Sequence, residues 1–293
     1  MKLYCVLFMF FLCLSKSISA EINALELLAT CESTIVTAEV ALQRAPTSNG
    51  FGYIFYTISP LAQAFIDGAT TTKRFFEAGA GFSNITEQCL RKGILEYTAN
   101  DLSLEHLKML AVRLAKTFGE QTAHTLQPLY FLPGKVPNVL PDKVDYYDAI
   151  LVDKMMHFLT PQEADDFLNW ASKALKKGGK LFIFTASIYC KTFCTNELIT
   201  MRDKNQEQYN FYAGFAAQVD KLLNYKKSDH PGYSLPPSML FFKQSDLLGL
   251  LAGKQFHIEQ SMAFKLPRPE HPFWTPAQEP DCDLIGVIAQ KMN

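Results

Sequence analysis

Phe75-Phe76-Glu77-Ala78-Gly79-Ala80-Gly81-Phe82-Ser83 joins a short apolar strand, Lys73 to Ala78, to a helical stretch from about Asn84 to Arg91. Glycine lacks a Cβ and tolerates positive φ, so a Glu-x-Gly-x-Gly turn lets the backbone approach a ligand closely. The amides that open the following helix then face polar groups of that ligand. Tight packing between a strand and a helix produces the same pattern without any ligand. The neighbouring sequence has to decide between the two.

Downstream, Ile94 to Thr98 predicts a second strand ending at Asn100-Asp101, with a helix over Leu104 to Phe118 behind it. Leu129 to Leu132 predicts a third strand and Tyr147 to Val152 a fourth. An amphipathic helix runs from Thr160-Pro161 to Leu175, Lys176-Lys177-Gly178-Gly179 ends it, and Lys180 to Thr185 is a fifth strand. Short strands alternating with longer helices build a parallel sheet covered by helices. Upstream, Glu21 to Arg44 and Tyr53 to Asp67 have helical spacing, separated by a Pro-, Ser- and Gly-rich loop. The alternation lapses from Tyr189 to about Leu240, an aromatic-rich stretch read as a mostly helical insertion over one end of the sheet. A helix at Ser245 to Leu251 and strands at Phe256 to Phe264 and Leu284 to Gln290 close the chain, with a Pro-rich loop from Pro267 to Pro280. The expected organisation is a helical extension over 21–72 and an α/β domain over 73–293, with 189–240 as its insertion.

Asp101 strengthens the ligand reading. A carboxylate at the end of the second strand of a nucleotide-type fold accepts hydrogen bonds from both ribose hydroxyls. Asp101 could instead cap the next helix, but Ser103 is the better cap, with Glu105 and His106 following it. A dinucleotide fold would want a third glycine near position 83, where this chain has Ser83-Asn84.

The order of these segments resembles the class I S-adenosylmethionine-dependent methyltransferase family from about Phe75 to Ser187, and more weakly to Gln290. Phe75 to Gly81 is similar to the family's first motif and Tyr97 to Ser103 to its second. Tyr147 to Thr160 is similar to its fourth strand and following turn, and Leu175 to Leu181 to its Gly-Gly entry into the fifth strand. The resemblance implies a Rossmann-like seven-stranded sheet, mostly parallel with the last strand antiparallel, binding S-adenosylmethionine across the strand ends. It implies cofactor contacts from Glu77, Gly79, Ala80, Gly81, Asp101, Leu102 and Asp153. Gly79 and Gly81 would pass under the methionine end, Asp101 would hold the ribose, and Asp153 and Lys154 would face cofactor and acceptor. One feature departs from the family: Leu132-Pro133-Gly134-Lys135 follows the third strand without the acid that often contacts adenine.

For the acceptor, His157 is the best-placed general base, because a neutral imidazole serves near pH 7. A histidine packed at the start of a helix explains it equally. Lys154 and Tyr189 are further acceptor-side candidates, Tyr189 alternatively being a core aromatic. The insertion either sets acceptor specificity or merely covers the sheet. The other histidines lack ligand spacing, so no metal site is expected. Asn84-Ile85-Thr86 is a formal glycosylation sequon inside the predicted loop helix.

Net charge is −1 over 293 residues, which gives no overall field towards nucleic acid and favours a small-molecule acceptor. Met1-Lys2, the apolar run Leu3 to Leu14 and the small residues of Ser15 to Ala20 have the layout of a secretory signal over 1–20. The run is short of the roughly 20 residues that span a bilayer, so export (periplasmic or secreted) is expected, an uncleaved membrane anchor being the alternative. Cys190 and Cys194 could bridge in an oxidising compartment, or the five cysteines after the signal are scattered thiols. Export away from a cytosolic cofactor leaves three expectations: an active exported enzyme, an exported inactive fold kept for binding, or an enzyme anchored at a membrane. Oligomeric state has no signal in the sequence.

Overall fold

The computed structural model describes residues 21–31, 44–47, 50, 53–219, 236–268 and 271–292. The expected signal over 1–20, and part of the expected first helix and of the insertion, lie outside the described residues. In chain order the elements are β1 (Ile22–Asn23), α1 (Ala24–Ala29), β2 (Arg44–Pro46), β3 (Tyr53–Phe55), α2 (Pro60–Asp67), β4 (Arg74–Ala78), α3 (Asn84–Arg91) and β5 (Glu96–Asp101). They continue with α4 (Leu104–Phe118), α5 (Thr122–Leu126), β6 (Leu129–Pro133), β7 (Tyr147–Asp153), α6 (Pro161–Ala174) and β8 (Leu175–Ala186). The last are α7 (Asn196–Tyr209), β9 (Phe215–Ala216), β10 (Met239–Leu240), α8 (Gln244–Gly253), β11 (Phe256–Lys265), β12 (Thr275–Ala277) and β13 (Leu284–Lys291).

Parallel strands covered on both faces need apolar residues on both sides of the pleat. Phe75 and Phe76 show this directly. Phe75 stacks on Phe65 of α2, ring centroids 4.5 Å apart, while Phe76 turns to Trp170 of α6 at 4.8 Å. Each belongs to a separate buried apolar cluster, one on each face of the sheet. Helix starts are defined by side chains: Ser103 accepts from the His106 amide, and Thr160 and Glu163 form a reciprocal capping box at α6.

The main sheet runs β1-β6-β5-β4-β7-β8-β13-β11-β12. Strands β4 to β8 are mutually parallel where they pair, and β13 is antiparallel to both β8 and β11. The chain leaves β4 first to one side and then to the other, so the carboxyl ends of β4, β5 and β7 flank a crevice at the point of reversal. That is the expected fold, with nine strands in the sheet among the described residues in place of seven. β1 adds to the edge at β6, and β12 adds to the edge at β11 out of the segment expected to be a loop.

Other local readings change as well. Tyr53–Phe55 is a strand paired with Arg44–Pro46, and the helix begins only at Pro60, capped by Ser59. Proline at the first turn and a serine before it are a start signal, so the helical spacing counted from Tyr53 ran through a boundary. The β8 strand extends back to Leu175 and takes in the expected Gly-Gly turn. Gly178 has φ +74° there, and the register against β7 shifts between Tyr147 and Ala149. No disulfide joins the described cysteines; Cys190 and Cys194 are free thiols. Asn84 is occupied, its amide donating to Tyr56 O and its carbonyl accepting from Arg113.

Candidate functional site

The glycine loop leaves β4 with φ +70° at Gly79 and +55° at Gly81, both in the left-handed region. A Cβ on Gly79 would lie 2.7 Å from Met155 Cβ and Cγ, and one on Gly81 would run into Ile54 Cδ1. Left-handed backbone costs an L-residue roughly 1–2 kcal/mol, and the Met155 overlap adds to that. Gly79→Ala is therefore expected to lower stability by about 2 kcal/mol in urea titration. An unchanged midpoint would show that the loop does not need glycine there.

Glu77 ends β4, is 1% exposed, and is surrounded by hydroxyls. Tyr97 donates to Oε2 at 2.5 Å, Thr86 to Oε2 at 2.9 Å, and Ser83 to Oε1 at 3.3 Å. Burial pushes its carboxyl up to about 7 against the pull of those hydroxyls, and the nearby Asp153 carboxylate adds to the rise.

Asp101 ends β5, and its carboxylate is fixed by three protein donors. Oδ2 accepts from the Gly81 amide at 2.8 Å; Oδ1 accepts from the Ser103 amide at 2.8 Å and sits 2.9 Å from His106 Nδ1. A carboxylate offers about four acceptor positions, so Oδ2 keeps room for a ligand hydroxyl. The loop after β6 is held from below, by Asn100 Nδ2 donating to Leu132 O and Gly134 O at 2.8 and 2.9 Å. Its wall is backbone plus buried Val136. Lys135 turns away to pair with Glu163 on α6.

Asp153 and Lys154 follow the end of β7, and Lys154 takes a φ of +57° with its amide donating to Phe184 O at 2.7 Å. Lys154 Nζ pairs with Asp153 Oδ2, whereas Asp153 Oδ1 is buried without a hydrogen-bond partner. His157 is 8% exposed, its Nδ1 also lacks a partner, and its ring lies 4.2 Å from that of Phe158. Burial pushes its imidazole down to about 3, with the Lys154 charge adding to the drop. The ring is neutral at pH 7 and a weak proton acceptor.

These groups open on one cavity of about 450 Å³. Glu77, Gly79, Ala80, Asp101, Leu102, Asp153, Lys154 and His157 all line it; Gly81 lies behind Asp101, covered by Ile54. Tyr189 packs against the apolar cluster instead. The cavity also takes in residues that sequence patterns did not single out, among them Ile54, Phe55, Phe193, Pro236, Leu266 and Leu284. Among the described residues no His/Cys/Asp/Glu group could hold a metal ion, and no helix is long and apolar enough to cross a membrane.

Residues 76–183 match the family model of a methyltransferase domain. Over that stretch the chain is similar to a methyltransferase domain, in keeping with the expected class I S-adenosylmethionine-dependent methyltransferase. No curated protein matches this chain in sequence. Among solved structures it resembles the Burkholderia thailandensis 1,6-didemethyltoxoflavin-N1-methyltransferase with bound 1,6-didemethyltoxoflavin and S-adenosylhomocysteine, at 16% identity and TM-score 0.50 over 80% of this chain and 78% of that one. A Methanosarcina mazei S-adenosylmethionine-dependent methyltransferase matches at 16% identity and TM-score 0.50, over 80% and 98%. One from Mesorhizobium loti matches at 16% and 0.51, over 79% and 96%. These likenesses show the fold. The methyltransferase-domain match supports S-adenosylmethionine as the cofactor, and the donor set fits it. Asp153 Oδ1 is a buried acceptor in want of a donor, Asp101 has a free acceptor position beside the glycine turn, and an apolar wall stands at Val136.

Proposed function

We propose that the chain transfers the methyl group of S-adenosylmethionine to a small molecule held in the apolar half of the cavity. One observation carries this: the Asp101 carboxylate, locked by Gly81, Ser103 and His106, faces the same cavity as the Gly79 turn. Asp101 would hold the ribose, the backbone at Gly79 and Ala80 the methionine end, and Asp153 Oδ1 its ammonium. Backbone groups and Val136 would receive the adenine in place of an acid. The cofactor supplies an electrophilic methyl on a sulfonium. The chain's part is to hold the acceptor in line and to keep water out, and such positioning supplies roughly 7–11 kcal/mol in well-oriented systems. His157 then acts as a neutral wall of the acceptor pocket, its imidazole being too weak a base to take a proton efficiently near pH 7.

The cavity of about 450 Å³ and the net charge of −1 support a small acceptor over nucleic acid, and a fold neighbour named for methylating 1,6-didemethyltoxoflavin agrees. Export through residues 1–20 belongs to the same proposal; N-terminal sequencing of native protein tests it, and an intact Met1 would overturn it. The second reading, a methyltransferase fold kept for binding alone, is favoured by the absence of an acid over Leu132 to Lys135. Titration calorimetry of the mature chain with S-adenosylmethionine and S-adenosylhomocysteine, followed by detection of S-adenosylhomocysteine formed with a small-molecule extract, separates them. Binding with turnover supports the enzyme, and binding without turnover the second reading. No binding at millimolar ligand sinks the enzyme reading.

A further inference from the structure

Lys154 is the residue of the cavity with the most elaborate surroundings. Its Nζ lies 5.5 Å from the ring centroid of Trp274, 5.7 Å from that of Phe184 and 5.8 Å from that of Phe55. These distances are within the range of cation–π attraction. The three rings come from distant parts of the chain: β3, β8 and the segment before β12. They also hold one another, since Trp274 lies 5.8 Å from Phe55 and 5.4 Å from Phe184, and its indole N–H donates to Thr57 O at 3.3 Å. On the remaining side the ammonium pairs with Asp153 Oδ2. The fold therefore fixes one cation at the mouth of β7, with its side chain still 18% exposed.

The other charged groups on the cavity wall are engaged elsewhere. Lys135 pairs with Glu163, His106 sits on Asp101, and His157 is held neutral by burial. Asp101 and Glu77 accept from the donors already described, and the free oxygen of Asp153 is assigned above to the methionine ammonium. An ammonium has three N–H donors; Asp153 takes one, leaving others for a ligand. The rest of the cavity wall is mostly apolar, with Phe55, Phe193, Pro236, Leu266 and Leu284 among its residues.

We propose that the acceptor is a mostly apolar molecule that binds as an anion, and that Lys154 is the residue that selects it. A cationic acceptor would meet Lys154 without a spare carboxylate to offset the repulsion. The inference rests on the methyl-transfer reading, and its test keeps the two apart.

The mature chain is first titrated with S-adenosylhomocysteine; failure to bind there refutes the methyl-transfer reading itself. The saturated complex is then titrated with benzoate, benzamide and benzylammonium, three probes of one shape and different charge. Benzoate is expected to bind at least about tenfold more tightly than the other two, a difference of about 1.4 kcal/mol. Lys154→Met is expected to bring the benzoate-to-benzamide ratio close to one, and Lys154→Arg to keep it. Benzylammonium binding as well as benzoate overturns the proposal. So does a Lys154→Met ratio equal to that of the native chain, or no benzoate binding up to its solubility limit. Should Lys154→Met fail to fold, the order of the three probes on the native chain still decides.

Discussion

Replacing Asp101 by asparagine is expected to weaken S-adenosylhomocysteine binding about 100-fold, with the fold retained. Hydrogen bonds to a charged acceptor contribute about 1.5–3 kcal/mol each, and weakening the bond from the ribose hydroxyl at the open acceptor position costs up to about 3 kcal/mol. The amide also turns an NH2 towards one of the three donors that now hold the carboxylate, the Gly81 and Ser103 amides and His106 Nδ1. The glycine turn therefore loosens as the ligand contact is lost. Ser103→Ala makes the control. It removes the helix cap at α4, where Ser103 Oγ accepts from the His106 amide, and is expected to cost about 1 kcal/mol of stability while changing affinity little. Calorimetry reports the affinities and thermal melts the stabilities. Native affinity in Asp101→Asn would remove this carboxylate from the cofactor and reopen the assignment of the whole site.

Asp101 was readable because several local rules agreed on it. It ends a strand, follows a glycine turn by one strand–helix unit, and stands beside a better cap, and the structure has Ser103 capping the helix. The same agreement holds for α3 and α4, whose observed limits, Asn84–Arg91 and Leu104–Phe118, coincide with the limits expected from spacing. It fails where an element is too short to have a period. β1 is two residues long and exists because Ile22 and Asn23 pair with Phe131 and Tyr130; no property of an Ile-Asn dipeptide announces an edge strand. β3 fails for another reason. Tyr53 to Phe55 adjoins an apolar helix, so the two ran together until Ser59-Pro60 separated them.

The site divides along the same line. Residues on the ends of β4, β5 and β7 were found because they occupy fixed places relative to motifs. The walls were not. Ile54 covers Gly81, and Phe55, Phe184 and Trp274 meet around Lys154, by tertiary folding of segments far apart in sequence. Asn100 was visible only as the neighbour of Asp101, yet its side chain braces two carbonyls of the loop where an acid was missed. Asp148, part of the fourth-strand motif, serves the other end of the sheet by accepting from the Arg74 amide, Lys73 and Lys176. Spacing places a residue on an element; it does not say which end of the sheet its side chain serves.

The buried carboxyl of Glu77 makes the second large prediction. In the unfolded chain Glu77 has its ordinary value near 4.5, whereas burial raises it to about 7 in the folded protein. The folded state therefore holds the proton more tightly than the unfolded state. The stability this contributes is fully present below 4.5 and is lost as pH rises through about 7. Every tenfold difference in proton affinity between the two states corresponds to about 1.4 kcal/mol, so the loss amounts to roughly 3 kcal/mol. For a chain of this size that lowers the melting temperature by about 5–10 °C. Glu77→Gln keeps the shape of the protonated acid and cannot titrate. Tyr97 can still donate to its carbonyl, and the Ser83 and Thr86 hydroxyls can rotate to accept from its amide. The ligand-free variant should match the native chain near pH 4.5 and melt higher than it at about pH 8, the gap between the two curves opening as pH rises towards 7. Parallel melting curves for the two proteins from about pH 5 to pH 8 would show that Glu77 is ionised throughout, held by Tyr97, Thr86 and Ser83 strongly enough to overcome its burial.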